Sequence, residues 1–308
     1  MRGFGGSRLR RAEPRGTGIA ISPVCWGVSE LRGWGPQLDP ERVLGEITGL
    51  GEHAIEAGPS GFLPDRSEAA RALLKRHRVS AVAGPVRAVL HHHDLRQQEL
   101  AHIDGHAAWL SALGAETLVL TLIGSRSDGD PDVALSSTGW AHLLGAIGSV
   151  QHVCLNRRLR LAVQPRYGSM IQSPADIERL LVGSDAGVCI DLGHLVVAGA
   201  DPIEVVELAA GRIDHVHVAD VDRALAEKVR GHDIDYATAC ARGLFKPLGE
   251  GDAGVAEVID ALQRSRYRGW YGIESETRLQ SADEDPVSRV RASVEKLRTM
   301  LPAAQGRR

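Results

Sequence analysis

The chain has 308 residues and a formal net charge of −3, long enough for one large domain or two ordinary ones with a substantial core. That balance excludes the basic stripe expected of a nucleic-acid binder, and no apolar run approaches the roughly 20 residues of a membrane span, so a small molecule is the expected partner. Cys25, Cys154, Cys189 and Cys240 form no C-x-x-C pair, and are expected to be reduced and buried in a cytoplasmic protein.

Residues 1–16 are rich in Arg and Gly and lack the apolar core of a secretory signal, so they are expected to form a disordered extension. From Thr17 two patterns alternate. Short apolar runs are TGIAIS (17–22), HAIEAGP (53–59), VSAVAGPV (79–86), TLVLTLI (117–123), RLAVQPR (160–166), GVCIDLG (187–193), IDHVHVADV (213–221) and WYGIESE (270–276). Between them lie segments with apolar residues at i, i+3, i+4 spacing, including DPERVLGEITGLG (39–51), RSEAARALLKRHR (66–78), SPADIERLLVGS (173–184) and DPIEVVELAAG (201–211). Several open with Asp-Pro or Ser-Pro, an N-cap followed by proline in the first helical turn.

Eight strand-type runs each followed by a helix-type segment, the last being 285–301, predict a parallel sheet covered by helices. An eightfold alternation fits a single closed (β/α)8 TIM barrel over 17–302, with residues 303–308 a frayed end. The first turn lacks the G-x-G-x-x-G of a dinucleotide-binding sheet. Two long connections, 124–137 and 222–253, leave the C-terminal ends of strands, where barrel enzymes build their sites. They are read as rim and lid.

Chemistry is therefore sought at strand ends: Gln164, Asp191 with His194, His215 and His217, and Glu274 with Glu276. Converging Asp, His and Glu make a mixed oxygen and nitrogen site for Mn²⁺, Co²⁺, Mg²⁺ or Zn²⁺, which would polarise a carbonyl or hydroxyl and acidify the adjacent C–H. Asp191 follows Val-Cys-Ile, where an uncompensated carboxylate is costly; an N-cap role is the competing account. His215 and His217 share a face by the period of two, His217 nearer the mouth, and either alone also suits a packed, hydrogen-bonded residue. Glu274 follows the apolar run directly, and Glu276 is expected to be a solvated rim residue. Trp26 suits either the apolar face of a sugar or a buried position. His91-His92-His93 diverge around the backbone and are not expected to converge on one ion. The glycines of PLGEGD (247–252) place backbone N–H groups where a hydroxylated or anionic ligand would meet them.

The motifs CWGVSELRGWG (25–35), IEAGPSGFLP (55–64), CIDLGHLVVAGADP (189–202), DHVHVADV (214–221), FKPLGEGD (245–252) and GWYGIESE (269–276) together resemble the xylose-isomerase-like superfamily of sugar-phosphate isomerases and epimerases. Within it they are most similar to inosose dehydratases. The resemblance implies a (β/α)8 barrel with Mn²⁺ or Co²⁺ at the mouth, Asp191, His217 and Glu274 as ligands, and His194 contacting substrate. Trp26, Glu56, Arg166 and Lys246 are the further residues expected at the substrate.

The family's fourth ligand stands at the end of the fifth run, a Glu in epimerases, or within H-P-H-x-G-T in inosose-dehydratase-like members. Here the chain reads Gln164-Pro165-Arg166-Tyr167-Gly168-Ser169, and Ala219 replaces the lysine of H-V-H-L-K-D members. An amide is no base and at best a weak neutral ligand, which disfavours two-base epimerisation. One-sided chemistry remains: Glu274, or a metal-bound hydroxide, removes the proton beside a carbonyl, and the enediolate loses a hydroxyl or regains the proton on the same face. Arg166 is expected to supply the missing positive charge or to bind an acidic substrate group. Inosose-type dehydration or aldose–ketose isomerisation of a sugar or cyclitol is the expected activity, in a chain compatible with homo-oligomerisation. The alternatives are a non-catalytic sugar-binding barrel with a degenerate metal site, and an abasic-DNA endonuclease, which would need more ligands and a basic face.

Overall fold

The structure, a computed structural model, describes residues 17–125 and 135–302. The extension 1–16, the end 303–308 and most of the 124–137 connection lie outside the described residues. In chain order the strands are β1 (Gly18–Ile21), β2 (Ala54–Glu56), β3 (Ser80–Ala88), β4 (Thr117–Leu122), β5 (Arg160–Val163), β6 (Gly187–Asp191), β7 (Ile213–Val218), β8 (Asp220–Val221), β9 (Phe245–Lys246) and β10 (Trp270–Ile273). Strands β1 to β7 and β10 are parallel and close into an eight-stranded barrel in which β10 pairs with both β7 and β1. The run 213–221 thus divides: its last residues form β8, which pairs antiparallel with β9 outside the barrel.

The helices begin where the capping chemistry places them. Asp39 accepts from the Glu41 N–H at the start of Pro40–Gly49, and Asp201 from the Ile203 N–H at the start of Pro202–Leu208. Ser173 and Asp176 exchange side-chain and backbone bonds as a capping box on Pro174–Gly183. Their apolar stripes pack on the barrel wall, where strands such as β4 and β5 are buried throughout, as expected for a sheet covered on both faces.

Inside the barrel the period of two builds layers. A buried lumen layer contains Ala20, Ala54, Val119, Ala162 and Cys189. Two residues further along β2, β4 and β6 stand Glu56, Thr121 and Asp191, and the residue after β5 is Gln164. Small side chains fill the tapered lumen, and polar ones emerge where strands reach the C-terminal mouth. All four cysteines are free and buried. Among the described residues no helix is long and apolar enough to cross a membrane.

Candidate active site

Strand register brings the mouth residues together. Asp191 lies opposite His217 across the β6–β7 ladder, and His217 lies opposite Gly272 of β10. The Gln164 N–H continues the ladder to the Leu120 carbonyl, and the Glu274 N–H does so to Val218. Asp191 serves both roles considered for it: Oδ1 accepts from the His194 N–H at 3.0 Å and caps the helix Leu192–Ala198, while Oδ2 faces the mouth. His217 Nδ1 lies 3.3 Å from Asp191 Oδ2 and 3.4 Å from Glu274 Oε1.

Those spacings match the edge of a tetrahedral shell, roughly 3.3–3.4 Å for bonds of about 2.0–2.1 Å. Asp191, His217 and Glu274 form one of two groups among the described residues whose donor atoms all lie within 4.8 Å of one another. The donor set therefore fits a divalent cation. The other group, Glu56, His215 and His217, is held at hydrogen-bond spacing. Glu56 Oε1 sits 2.8 Å from His215 Nε2 and 3.0 Å from His217 Nε2. This close approach depends on Gly272, because a β-carbon there would collide with Glu56 Oε1.

Electrostatics divide the acids. Burial raises the Glu274 pKa to about 8, with Glu56, Asp191 and Glu276 adding to it against His217. For Glu56, burial is outweighed by His217 and His215, which hold the carboxyl below its ordinary range. Asp191 is likewise lowered, His194 and His217 outweighing burial. For His217 itself, burial opposes charge, and its acidic neighbours overcome that and raise its pKa.

Glu276 is not a solvated rim residue. Its side chain is 11% exposed, with Oε1 2.6 Å from Arg166 Nη2 and 3.1 Å from His194 Nε2, and Oε2 accepting from the Tyr236 hydroxyl at 2.9 Å. Burial would raise its pKa, but Arg166, His194 and Tyr236 outweigh burial and lower it. Tyr236 also stacks on His194 and Tyr167, with Trp34 beside it. It opens the helix Tyr236–Ala241 of the 222–253 connection, so that segment covers the mouth. Tyr236 escaped sequence reasoning; its only signal was membership of a long connection leaving the C-terminal end of a strand.

The other residues singled out from the sequence lie in several settings. Trp26 is fully buried and its ring N–H donates to Glu46 at 2.6 Å, so it is a core residue and offers no face to a sugar. Glu56 is 1% exposed, with Oε1 beside two histidines. Lys246 lies on β9, 3.5 Å from Asp222 Oδ2, lining a small crevice with Cys25, Ser275 and Arg289. The backbone N–H groups of Gly249, Gly251 and Ala253 are taken by the buried Asp220 carboxylate, so the PLGEGD turn is satisfied from within the chain. No residue of the 91–93 triple belongs to a convergent group among the described residues.

The barrel and its mouth define a recognised class. Residues 47–300 match the model of the xylose isomerase-like TIM barrel family, and the chain belongs to that family. It is 25% identical to an inosose dehydratase of Geobacillus kaustophilus over 269 residues, 84% of this chain and 87% of the relative. It is 26% identical over 295 residues to the rhizopine catabolism protein MocC of Rhizobium meliloti, 93% of this chain and 89% of that protein. Among solved structures, D-allulose 3-epimerase from Methylomonas sp. aligns with a TM-score of 0.70 at 13% identity, covering 94% of this chain and 99% of the epimerase. The probable 3-DHS dehydratase AsbF of Bacillus anthracis aligns with a TM-score of 0.66 at 12% identity, 91% and 98% covered.

Proposed function

We propose that the protein is a divalent-metal-dependent, cytoplasmic enzyme that removes a proton beside a carbonyl of a sugar or cyclitol, with inosose-type dehydration favoured over aldose–ketose isomerisation. The convergence of Asp191, His217 and Glu274 at metal-ligand spacing carries this reading, and the names of the inosose dehydratase relatives support it. Asp191, His217 and Glu274 would hold the ion, which supplies polarisation of a substrate oxygen and acidification of the neighbouring C–H.

The rest falls to the chain's own side chains. Glu274, deprotonated when it holds the ion, is the base and, once it has taken the proton, the acid that returns it. No second carboxylate faces it from β5, because Gln164 stands there, so proton removal and return share one face. His194 and Arg166, joined through Glu276, orient substrate hydroxyls. His194 is 1% exposed, so substrate enters when the segment carrying Tyr236 lifts, and its return excludes water.

The test is a screen of keto-inositols and ketohexoses with added Mn²⁺ or Co²⁺, in D₂O, on protein purified without chelator and assayed for bound metal. Metal-dependent turnover with solvent deuterium at the carbon beside the carbonyl is expected. Neither bound metal nor exchange with any substrate would replace this reading with the non-catalytic sugar-binding barrel.

A further inference from the structure

Gln164 Nε2 lies 2.8 Å from Asp191 Oδ2 and 3.1 Å from His217 Nδ1. Its Oε1 faces the opposite way and accepts from Thr121 Oγ1 at 2.7 Å. A carboxamide nitrogen carries two hydrogens and accepts nothing, so one N–H is directed at each of two atoms, and these are two of the three donor atoms assigned above to the cation. The reversed amide would set Oε1 against the Asp191 carboxylate, acceptor against acceptor, so the network itself selects the nitrogen-inward orientation. His217 Nδ1 can accept only with the ring proton on Nε2, which lies 3.0 Å from Glu56 Oε1 without a well-directed hydrogen bond to it. The carboxylates that draw a further proton to His217 therefore compete with the amide for the same lone pair: Asp191 Oδ2 stands 3.3 Å and Glu274 Oε1 3.4 Å from Nδ1, against 3.1 Å for the amide nitrogen, which is the nearest of the three. Thr121, Gln164, His217 and Glu56 are all 3% exposed or less.

We infer that the Gln164 carboxamide is an internal stand-in for the cation: its NH₂ group occupies the lone pairs of Asp191 and His217 until an ion displaces it. The inference rests on the ligand assignment proposed above. A carboxylate at this position would face Asp191 and Glu274 with a third negative charge and no donor, leaving a mouth that needs an ion to settle. The amide removes that requirement. Displacement requires only rotation of the amide group, since the Thr121 hydroxyl can accept from Nε2 as readily as it donates to Oε1. Gln164 thereby becomes a positioning residue that opposes loading, where a ligand would favour it.

The two roles differ in sign. Mn²⁺ affinity is measured by calorimetry, and by Co²⁺ absorption, on the full-length protein, on Gln164→Ala and on Gln164→Glu, with Tm recorded in EDTA. A stand-in predicts that Gln164→Ala binds Mn²⁺ about tenfold more tightly than the parent, the loss of roughly one charge-assisted hydrogen bond's worth of competition. It also predicts that the parent's Tm in EDTA exceeds that of Gln164→Glu, and that Mn²⁺ reverses the order. Equal or weaker binding by Gln164→Ala overturns the inference and makes the amide a bystander or a ligand. Binding by neither the parent nor any variant, Gln164→Glu included, overturns the ligand assignment, and this inference falls with it.

Discussion

The two ends of the barrel lumen handle buried charge in opposite ways. At the N-terminal floor the Arg160 side chain, 5% exposed, lies 3.8 Å from Glu116 and 3.9 Å from Asp214, and the Trp270 ring N–H points to Glu116. At the mouth Asp191, Glu274 and Glu56 gather around His217, each in contact with it, and among the described residues no Lys or Arg forms an ion pair with any of these three carboxylates. The floor balances its acids with a cation from the chain, whereas the inner mouth keeps an acid surplus relieved by protons and by the Gln164 amide. A self-compensated cluster serves stability, and an uncompensated one at the C-terminal face is suited to an incoming cation and to chemistry. The outer clamp of Arg166, His194, Tyr236 and Glu276 is intermediate: compensated, yet beside the site.

The contrast can be broken from either side. The largest expected effect is at the mouth, where Glu274→Gln keeps shape and hydrogen bonding but removes the base. Turnover on any substrate found by the screen should fall by about 10³-fold, with an unchanged circular dichroism spectrum; retained activity would remove Glu274 from its role. At the floor, Arg160→Met leaves Glu116 and Asp214 without their cation, and urea denaturation should register a loss of about 3–5 kcal/mol. Mn²⁺ affinity should not move. If it did, the two ends would not be separable.

A titration away from both ends sharpens the comparison. Burial, with His102 adding, lowers the His106 pKa from 6.5 to about 4. Between those values the folded chain binds fewer protons than the unfolded one, so stability rises with pH across the window. The contribution is present above pH 6.5 and lost as pH falls toward 4, about 3 kcal/mol in all. Unfolding at stepped pH should show that slope, and His106→Gln should flatten it; an unchanged slope would move its origin to the barrel mouth. The smallest effect is expected at the clamp, where Arg166→Met should cost about 2 kcal/mol of stability and raise KM more than it lowers kcat. A kcat effect alone would place Arg166 at the reacting atoms.

Much of this is legible in the sequence. Alternating strand and helix patterns, with Asp-Pro and Ser-Pro starts, specified the barrel, because local capping and apolar periodicity act over a few residues. The polar ends of apolar runs pointed to Asp191, His217 and Glu274, and the period of two put His215 and His217 on one face. The burial of Glu276 is not legible, because nothing local indicates that Arg166, 110 positions away, and Tyr236 from another segment close over it. Trp26 was ambiguous for the same reason, since its Glu46 partner lies on a neighbouring helix.

What the sequence by itself determined is the order of elements, the inward faces of the strands and the absence of a carboxylate at residue 164. Only the tertiary structure decided what that absence means. Closing the barrel brings Thr121, Gln164, Asp191 and His217 into one hydrogen-bonded row and lets Glu56 reach His215, 159 positions away. Hydrogen-bond direction is a property of neighbours in space. The amide that reads along the chain as a lost ligand is, in the closed barrel, a donor to the atoms that remain.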